Sequence, residues 1–411
     1  MARKAKLPAD LDPLATALEE ARRGASFDAL IHHEAVAVLL SIYPFLDGLA
    51  EGERRSAIVS GISRAAESGP ITARSLKDAV RREETTLLGQ PQTTFVLATH
   101  LSFTRVGGPV PRSYKGGIEI TRHLPASLRR ARLEPSLDIA DVDRLPVHYS
   151  AATVKVRART VAHAFQQAQS RLDLLRALWN YAHARRTIWE SHSDPTAPIA
   201  RIRLGRVSTL HTASGALASP MYWFQPDHRD VTSTWLSDAD WQRMTRMVRS
   251  ASQKLRRVPY RAEVERGLLQ YGRALDATDM ETAFLKLWSV LELLTGLGGE
   301  RYDDLVSRTV FLFKPDKLTE YVLAHLRHQR NEIVHLGTAQ EEMRPLVVQL
   351  KRYVERMLSV QMTMGRHFMS LDEAGRFMDH SASPEVLRRQ LDLLERAARF
   401  RRIRLRRVRR K

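Results

Sequence analysis

Three side chains suited to acid–base and phosphate chemistry lie within six residues of each other: Arg330, Asn331 and His335. The apolar spacing around them predicts one helix over residues 317–336, which ends at Gly337. Asn331 and His335 are four positions apart and therefore share a helix face. Arg330 lies about 100° around the helix from Asn331, but its long side chain can reach over. We therefore expect a guanidinium, a carboxamide and an imidazole to meet at one point.

These groups match the demands of RNA strand scission. The ribose 2′-hydroxyl must lose a proton as it attacks the neighbouring phosphorus, and the 5′-oxygen must gain one as it leaves. An imidazole titrates near neutral pH and can be the base or the acid, so His335 is the candidate for proton transfer. Arg330 stays charged and can bind the phosphate oxygens, while Asn331 can orient the phosphate or the arginine. Because RNA supplies its own nucleophile, we expect no metal ion and no cofactor.

An arginine four to six residues before a histidine is weak evidence alone, because the chain is rich in arginine. Similar spacings occur at three other places, namely Arg157 and His163, Arg186 and His192, and Arg206 and His211. The asparagine directly after Arg330 and the all-helical setting distinguish the C-terminal pair. A structural alternative is that Arg330 and His335 only cap a helix and pair with neighbouring acids such as Glu332.

Residues 330–337, which read Arg-Asn-Glu-Ile-Val-His-Leu-Gly, resemble the Arg-x4-6-His motif of HEPN domains in its Arg-Asn-x-x-x-His form. Residues 284–294 are similar to the preceding helix of ApeA-like HEPN proteins, and residues 304–308 resemble their intervening helix. The resemblance extends over residues 260–365, about a quarter of the chain.

This resemblance implies a helical bundle that dimerises, with a metal-independent endoribonuclease site made from the paired motif helices of two copies. Arg330 and His335 match the catalytic pair of the family, and Asn331 matches the polar residue after the arginine. Glu292 matches an acidic position on the preceding helix, where it can support Arg330. Such proteins commonly act as toxins or in antiviral defence. Two alternatives remain: a non-catalytic adaptor of a defence system that binds nucleic acid and dimerises, and a purely structural partner protein in a defence assembly.

The elements that must position these residues change in character along the chain. Residues 1–89 have helix-period apolar patterns and predict an N-terminal helical segment. Residues 90–258 predict an α+β region, which we interpret as a sensor or specificity module. Its expected elements are strands at 93–101, 116–121, 150–158, 200–210 and 220–224, with a long helix from about 160 to 191.

Residues 259–370 predict an all-α antiparallel bundle, since the apolar pattern is helical and the loops are short. By the resemblance this bundle is HEPN-like. The expected helices cover 262–275, 279–296, 301–312, 317–336 and 340–363. Pro345 conflicts with a helix that starts at 340, so the last helix is expected to start later or to kink there. Residues 371–411 are expected to form a helical, Arg-rich extension.

Net charge is concentrated at the C-terminus. The chain carries +19, and residues 396–411 contain ten basic and no acidic side chains, which leaves +9 for the rest. Such a tail attracts polyanions by counterion release, although an anionic membrane, an acidic partner or a solvated end are alternatives. We predict that RNA contacts the following residues: Arg327, Arg401, Arg402, Arg404, Arg406, Arg407, Arg409 and Arg410.

Several classes of protein are excluded by what the sequence lacks. It has no cysteine, which removes disulfides, thiolate metal sites and a cysteine nucleophile. It contains no Walker loop, no Gly-x-Ser-x-Gly elbow and no His-Glu-x-x-His motif. No apolar run is long enough for a membrane span, and no apolar segment follows the basic N-terminus as in a secretory signal. We therefore expect a cytoplasmic protein.

Overall fold

The computed structural model describes residues 10–23, 26–27, 29–105, 116–132, 149–184, 197–225, 228, 234–297, 302–313, 317–336, 342–381 and 383–403. Contacts between residues divide the chain into two compact units. The first comprises Met1–Asp173 and Ile202–Ala239, and the second comprises Leu174–Arg201 and Asp240–Lys411. The four-part division expected from the sequence stays a prediction.

The first unit begins with helices. The elements are α1 (Asp12–Glu20), β1 (Arg22–Arg23), β2 (Ser26–Phe27), α2 (Ala29–Ile42), α3 (Glu51–Ser68) and α4 (Ala73–Gly89). Helix α4 starts where the hydroxyl of Thr72 accepts a hydrogen bond from the backbone N–H of Ser75, which satisfies a donor that the helix itself cannot pair. Ile58, Ile62 and Leu76 are fully buried in the apolar cluster that joins these helices.

An antiparallel sheet follows the helices. The elements are β3 (Thr93–Leu101), β4 (Phe103–Arg105), β5 (Ile118–Thr121), α5 (Ala126–Arg132), β6 (Ser150–Ala158), α6 (Val161–Ala184), β7 (Val207–Thr212), β8 (Trp223–Phe224) and β9 (Thr234–Leu236). Five strands form one sheet in the order β5-β6-β3-β7-β8. β3 pairs with β6 along its whole length. The α+β character and the strands at 93–101 and 150–158 are thus confirmed.

Three predicted strands are shorter than expected. The strand predicted at 116–121 covers only Ile118–Thr121. The strand predicted at 200–210 begins only at Val207, because the preceding chain meets the sheet through a single bridge between Leu101 and Leu204. The strand predicted at 220–224 is reduced to Trp223–Phe224. Pro220, the first residue of the predicted strand, has no N–H to donate to a ladder.

From Asp238 onward, the described residues contain helices and no strand. They are α7 (Asp238–Leu255), α8 (Arg261–Asp276), α9 (Met280–Thr295), α10 (Tyr302–Val310), α11 (Lys317–Leu336), α12 (Met343–Met364), a 3-10 turn (Gly365–His367), α13 (Leu371–Met378) and α14 (Pro384–Phe400). The predicted change from α+β to helix is confirmed. In the described parts of the chain, no helix combines the length and the apolar character that crossing a membrane requires.

Helix α9 lies against α8 and α12. Its side chains Phe284, Leu287 and Leu291 are fully buried. Two buried hydrogen bonds fix α12 in this arrangement: the hydroxyl of Tyr271 on α8 donates to Glu355 at 2.6 Å, and the amide of Gln361 donates to the carbonyl of Leu294 at 2.7 Å. Because a buried polar group without a partner is costly, such bonds disfavour other registers of these helices.

Pro345 lies in the first turn of α12, which starts at Met343. The first backbone N–H groups of a helix have no acceptor within it, so proline is tolerated there. The later start expected from Pro345 is therefore confirmed, and residues 338–341 lie outside the described residues.

Candidate functional site

Helix α11 presents the candidate residues, and its apolar side holds it in place. Leu323, Leu326 and Ile333 are buried, and the helix contacts α9 and α10. The opposite side leaves Tyr321 and His335 exposed. The amphipathic spacing of the sequence therefore gives a fixed helix with one accessible face.

Arg330 is held by three side chains from three helices. Its guanidinium carbon lies 4.8 Å from the centre of the Tyr302 ring on α10. One of its nitrogens donates to the carboxamide oxygen of Asn331 at 3.2 Å, and another lies 4.0 Å from a carboxylate oxygen of Glu292 on α9. The Arg330 side chain is 17% exposed, so it is accessible at one edge and fixed at the others.

Glu292 is itself oriented by a buried tryptophan. The indole N–H of Trp288, one turn earlier on α9, donates to Glu292 at 2.9 Å, and Trp288 is almost fully buried. A carboxylate 4.0 Å from a guanidinium attracts it without a close hydrogen bond. This geometry fits the supporting role that the sequence predicts for Glu292.

Tyr302 belongs to the site, although its sequence context does not mark it as functional. Its ring lies beneath two cations, since the guanidinium carbon of Arg327 is also 5.7 Å from the ring centre. Arg327 forms an ion pair with Asp303, whose side chain is largely exposed. Such a surface pair contributes little to stability, so Arg327 can exchange Asp303 for a phosphate. In the sequence, Tyr302 is marked only by its position near the start of a predicted helix. That helix directly precedes the helix that carries the motif.

His335 lies in the last turn of α11 and is exposed. Within the described residues it has no hydrogen bond or ion pair. It lies five positions after Arg330, which corresponds to about 140° around the helix. The structure thus brings Arg330, Asn331 and Glu292 together, whereas His335 faces away from Arg330 in a single copy.

The other arginine and histidine pairs have structural roles where they are described. His211 is fully buried in β7 and bonds to Thr209 and Gly215. His163 contacts the buried carboxylate of Glu53 at 3.1 Å. The pair Arg186 and His192 lies outside the described residues.

The predicted nucleic-acid contacts in the tail are only partly described. Arg401 and Arg402 are exposed at the end of α14. The other five lie outside the described residues: Arg404, Arg406, Arg407, Arg409 and Arg410. Across the described residues, no group of three or more His, Asp or Glu side chains could hold a metal ion.

Comparison of the chain with protein-family models, curated proteins and solved structures finds no match. The resemblance to HEPN proteins therefore stays a prediction made from the sequence.

Proposed function

We propose that the protein is a metal-independent endoribonuclease of the HEPN type. The observation that carries the proposal is the fixed guanidinium of Arg330, held by Tyr302, Asn331 and Glu292, on the same helix as an exposed imidazole at His335. A guanidinium that is fixed before substrate arrives stabilises developing charge without reorganisation. Exposure of His335 leaves its ring nitrogens accessible to a ribose hydroxyl or to a leaving oxygen.

The reaction breaks one bond and forms one. The ribose O2′ bonds to the adjacent phosphorus, the bond from phosphorus to O5′ breaks, and one proton passes from the attacking to the leaving oxygen. His335 transfers this proton, Arg330 stabilises the charge on the non-bridging oxygens, and Asn331 orients the phosphate or Arg330. The products are a 2′,3′-cyclic phosphate and a 5′-hydroxyl.

Two copies of the chain complete the site. In one copy, Arg330 and His335 point about 140° apart, so a single phosphate does not reach both side chains easily. Pairing of two α11 helices brings the imidazole of one copy towards the guanidinium of the other. Tyr321 lies on the same side of α11 as His335, and its side chain is 73% exposed and available to such a pair.

The activity fits a toxin or an antiviral defence protein that acts in the cytoplasm, with the α+β region as its sensor or specificity module. Such a role makes the uninhibited enzyme harmful to the cell that produces it, so its activity is best measured with purified protein.

The test is RNA cleavage in EDTA by the full chain and three variants. We expect His335→Ala and Arg330→Ala to abolish cleavage, with unchanged circular dichroism. His328→Ala is the matched control, because His328 is an exposed histidine two turns earlier that contacts Glu332; it should cleave like the wild type. The 3′ ends should carry 2′,3′-cyclic phosphate. Undiminished cleavage by either of the first two variants would remove the proposal.

A second function is a non-catalytic adaptor that binds nucleic acid and dimerises. The three contacts that hold Arg330 would serve a purely structural arginine equally well, so RNA cleavage itself has to separate the two functions. If the protein is the adaptor, the wild type yields no cleaved ends, and its RNA binding depends steeply on salt while His335→Ala leaves it unchanged.

A further inference from the structure

Helix α14 has an apolar side that nothing in the described part of the chain covers. Leu387, Leu391 and Leu394 are 41%, 56% and 65% exposed. Leu393 and Phe400 are exposed as well, but they lie about 120–140° round the helix from Leu387 and do not belong to this side. Ala398 is the exception, because the chain turns back after the helix and Ile403 donates its N–H to the Ala398 carbonyl at 2.8 Å.

The exposed leucines have the spacing of a helix-pairing seam. Leu387, Leu391, Leu394 and Ala398 follow one another at steps of four, three and four residues, which keeps them on one face. The charged residues of α14 lie on the opposite half of the helix, and Arg388 and Glu395 are the two that flank the leucine face.

We propose that α14 pairs with α14 of a second copy of this chain in antiparallel orientation. When Leu391 of one copy faces Leu394 of the other, a two-fold axis lies between residues 392 and 393. The same alignment places Arg388 of each copy opposite Glu395 of its partner. Two symmetric ion pairs therefore border the apolar seam, as the flanking positions of an antiparallel coiled coil require.

A parallel pair is disfavoured by the charges at the end of the helix. It would place Arg399, Arg401 and Arg402 of both copies side by side, together with two basic tails. Like charges at that distance repel. In the antiparallel pair the tails leave at opposite ends, and the acidic first turn with Glu385 lies beside the basic end of its partner.

This pairing does not depend on the proposed nuclease. It uses α14, whereas the proposed active site uses α11. The competing occupant for an exposed amphipathic helix with arginines is an anionic membrane surface, and the experiment separates the two.

The test is the mass of the full chain by sedimentation equilibrium, with reversal of charges on α14. We expect Arg388→Glu and Glu395→Arg each to raise the dissociation constant on the order of tenfold or more, because each places like charges opposite one another twice. The double variant restores opposite charges and should associate like the wild type. Arg396→Glu is the control, since Arg396 lies on the far side of the helix, and it should change nothing. Leu391→Asp should remove the association.

Each single reversal weakens one step of association: the equilibrium shifts from dimer towards monomer, or from tetramer towards dimer if α11 also pairs. Failure of the double variant to recover would overturn the antiparallel pair. If the wild type and Leu391→Asp have the same mass, the self-association is overturned. If that wild type then co-sediments with anionic vesicles, the helix binds a membrane surface. Loss of RNA cleavage in Arg330→Ala with unchanged mass separates the nuclease from this proposal.

Discussion

The guanidinium of Arg330 lies over the ring of Tyr302, 4.8 Å from its centre. The contact joins α10 to α11 at the candidate site. A cation over the face of an aromatic ring is attracted by the ring's quadrupole, by about 0.5 kcal/mol when exposed and about 2 kcal/mol when desolvated. Because the Arg330 side chain is mostly buried, the ring decides the direction in which its guanidinium points.

Tyr302→Leu should therefore reduce kcat for RNA cleavage by about tenfold, which corresponds to about 1.4 kcal/mol of lost stabilisation. KM should change little, because Tyr302 acts through Arg330 and does not bind RNA itself. Tyr302→Phe keeps the ring and should behave like the wild type. A lower unfolding temperature in Tyr302→Leu with unchanged kcat would show that the ring only stabilises the fold.

The sequence predicts the helices of this site, but it does not predict which of their side chains come into contact. The periodicity of 317–336 predicts α11 with its bounds, and Pro345 predicts that α12 starts later or kinks there, because both are local effects. The contact between Arg330 and Tyr302 joins residues 28 positions apart, across a segment that includes a loop. No local pattern encodes such a pair. The bond from Trp288 to Glu292 is different, because these residues are four positions apart on one helix and the spacing alone makes them neighbours.

The strands show the same distinction. The segments that form β3 and β6 are rich in β-branched residues or alternate between apolar and polar residues. Both patterns are typical of strands, so the sequence predicts the bounds of β3 and β6. The stretch before β7 is apolar enough to be a strand, yet its backbone pairs mainly through one bridge at Leu204. Pairing depends on the neighbouring strand, which the sequence of one strand does not reveal.

The close packing of α3 and α4 depends on a glycine. A Cβ on Gly61 would lie 2.6 Å from Cγ2 and 2.8 Å from the Cα of Val80. The backbone of α4 cannot yield as a flexible side chain can, so Gly61→Ala should lower the free energy of unfolding by about 1–3 kcal/mol.

Gly89→Ala is the matched control. Gly89 is the last residue of α4, in the same unit, and a methyl group added there would have no neighbouring atom within 4 Å. The substitution should be neutral or slightly stabilising, because alanine loses less backbone entropy on folding. Urea unfolding of both variants measures the difference, and equal midpoints would contradict the tight contact at Gly61.

Acid should destabilise the protein through two histidines that the fold shields from water, the half-buried His100 and the fully buried His211. Burial, aided by the positive charges of Arg132 and His123, lowers the pKa of His100 from 6.5 to about 3. The folded protein keeps this ring neutral between these two pKa values, while the unfolded chain binds a proton below pH 6.5. The free energy of unfolding therefore falls as the pH drops below 6.5, by up to about 1.4 kcal/mol per pH unit. Burial also lowers the pKa of His211, with the same sign.

Urea unfolding at pH 7 and pH 5 measures this effect. We expect the wild type to lose about 2 kcal/mol from His100 over this range, and His100→Gln to lose correspondingly less. His325→Gln, at an exposed position on α11, should retain the full pH dependence. An identical pH dependence in the wild type and His100→Gln would contradict a neutral, buried ring.

The basic tail should determine how RNA binding responds to salt. Deletion of residues 404–411 removes six basic side chains while keeping α14 and the turn at Arg402. Each phosphate contact on single-stranded RNA contributes about 0.7 to the slope of log K against log salt, so the slope should fall by up to about 4. The kcat at saturating RNA should not change, because the proposed site lies on α11.

A tail with the same residues in shuffled order is the control. Counterion release is indifferent to sequence, so this variant should bind RNA like the wild type. If the deletion leaves the slope unchanged, these arginines do not contact RNA.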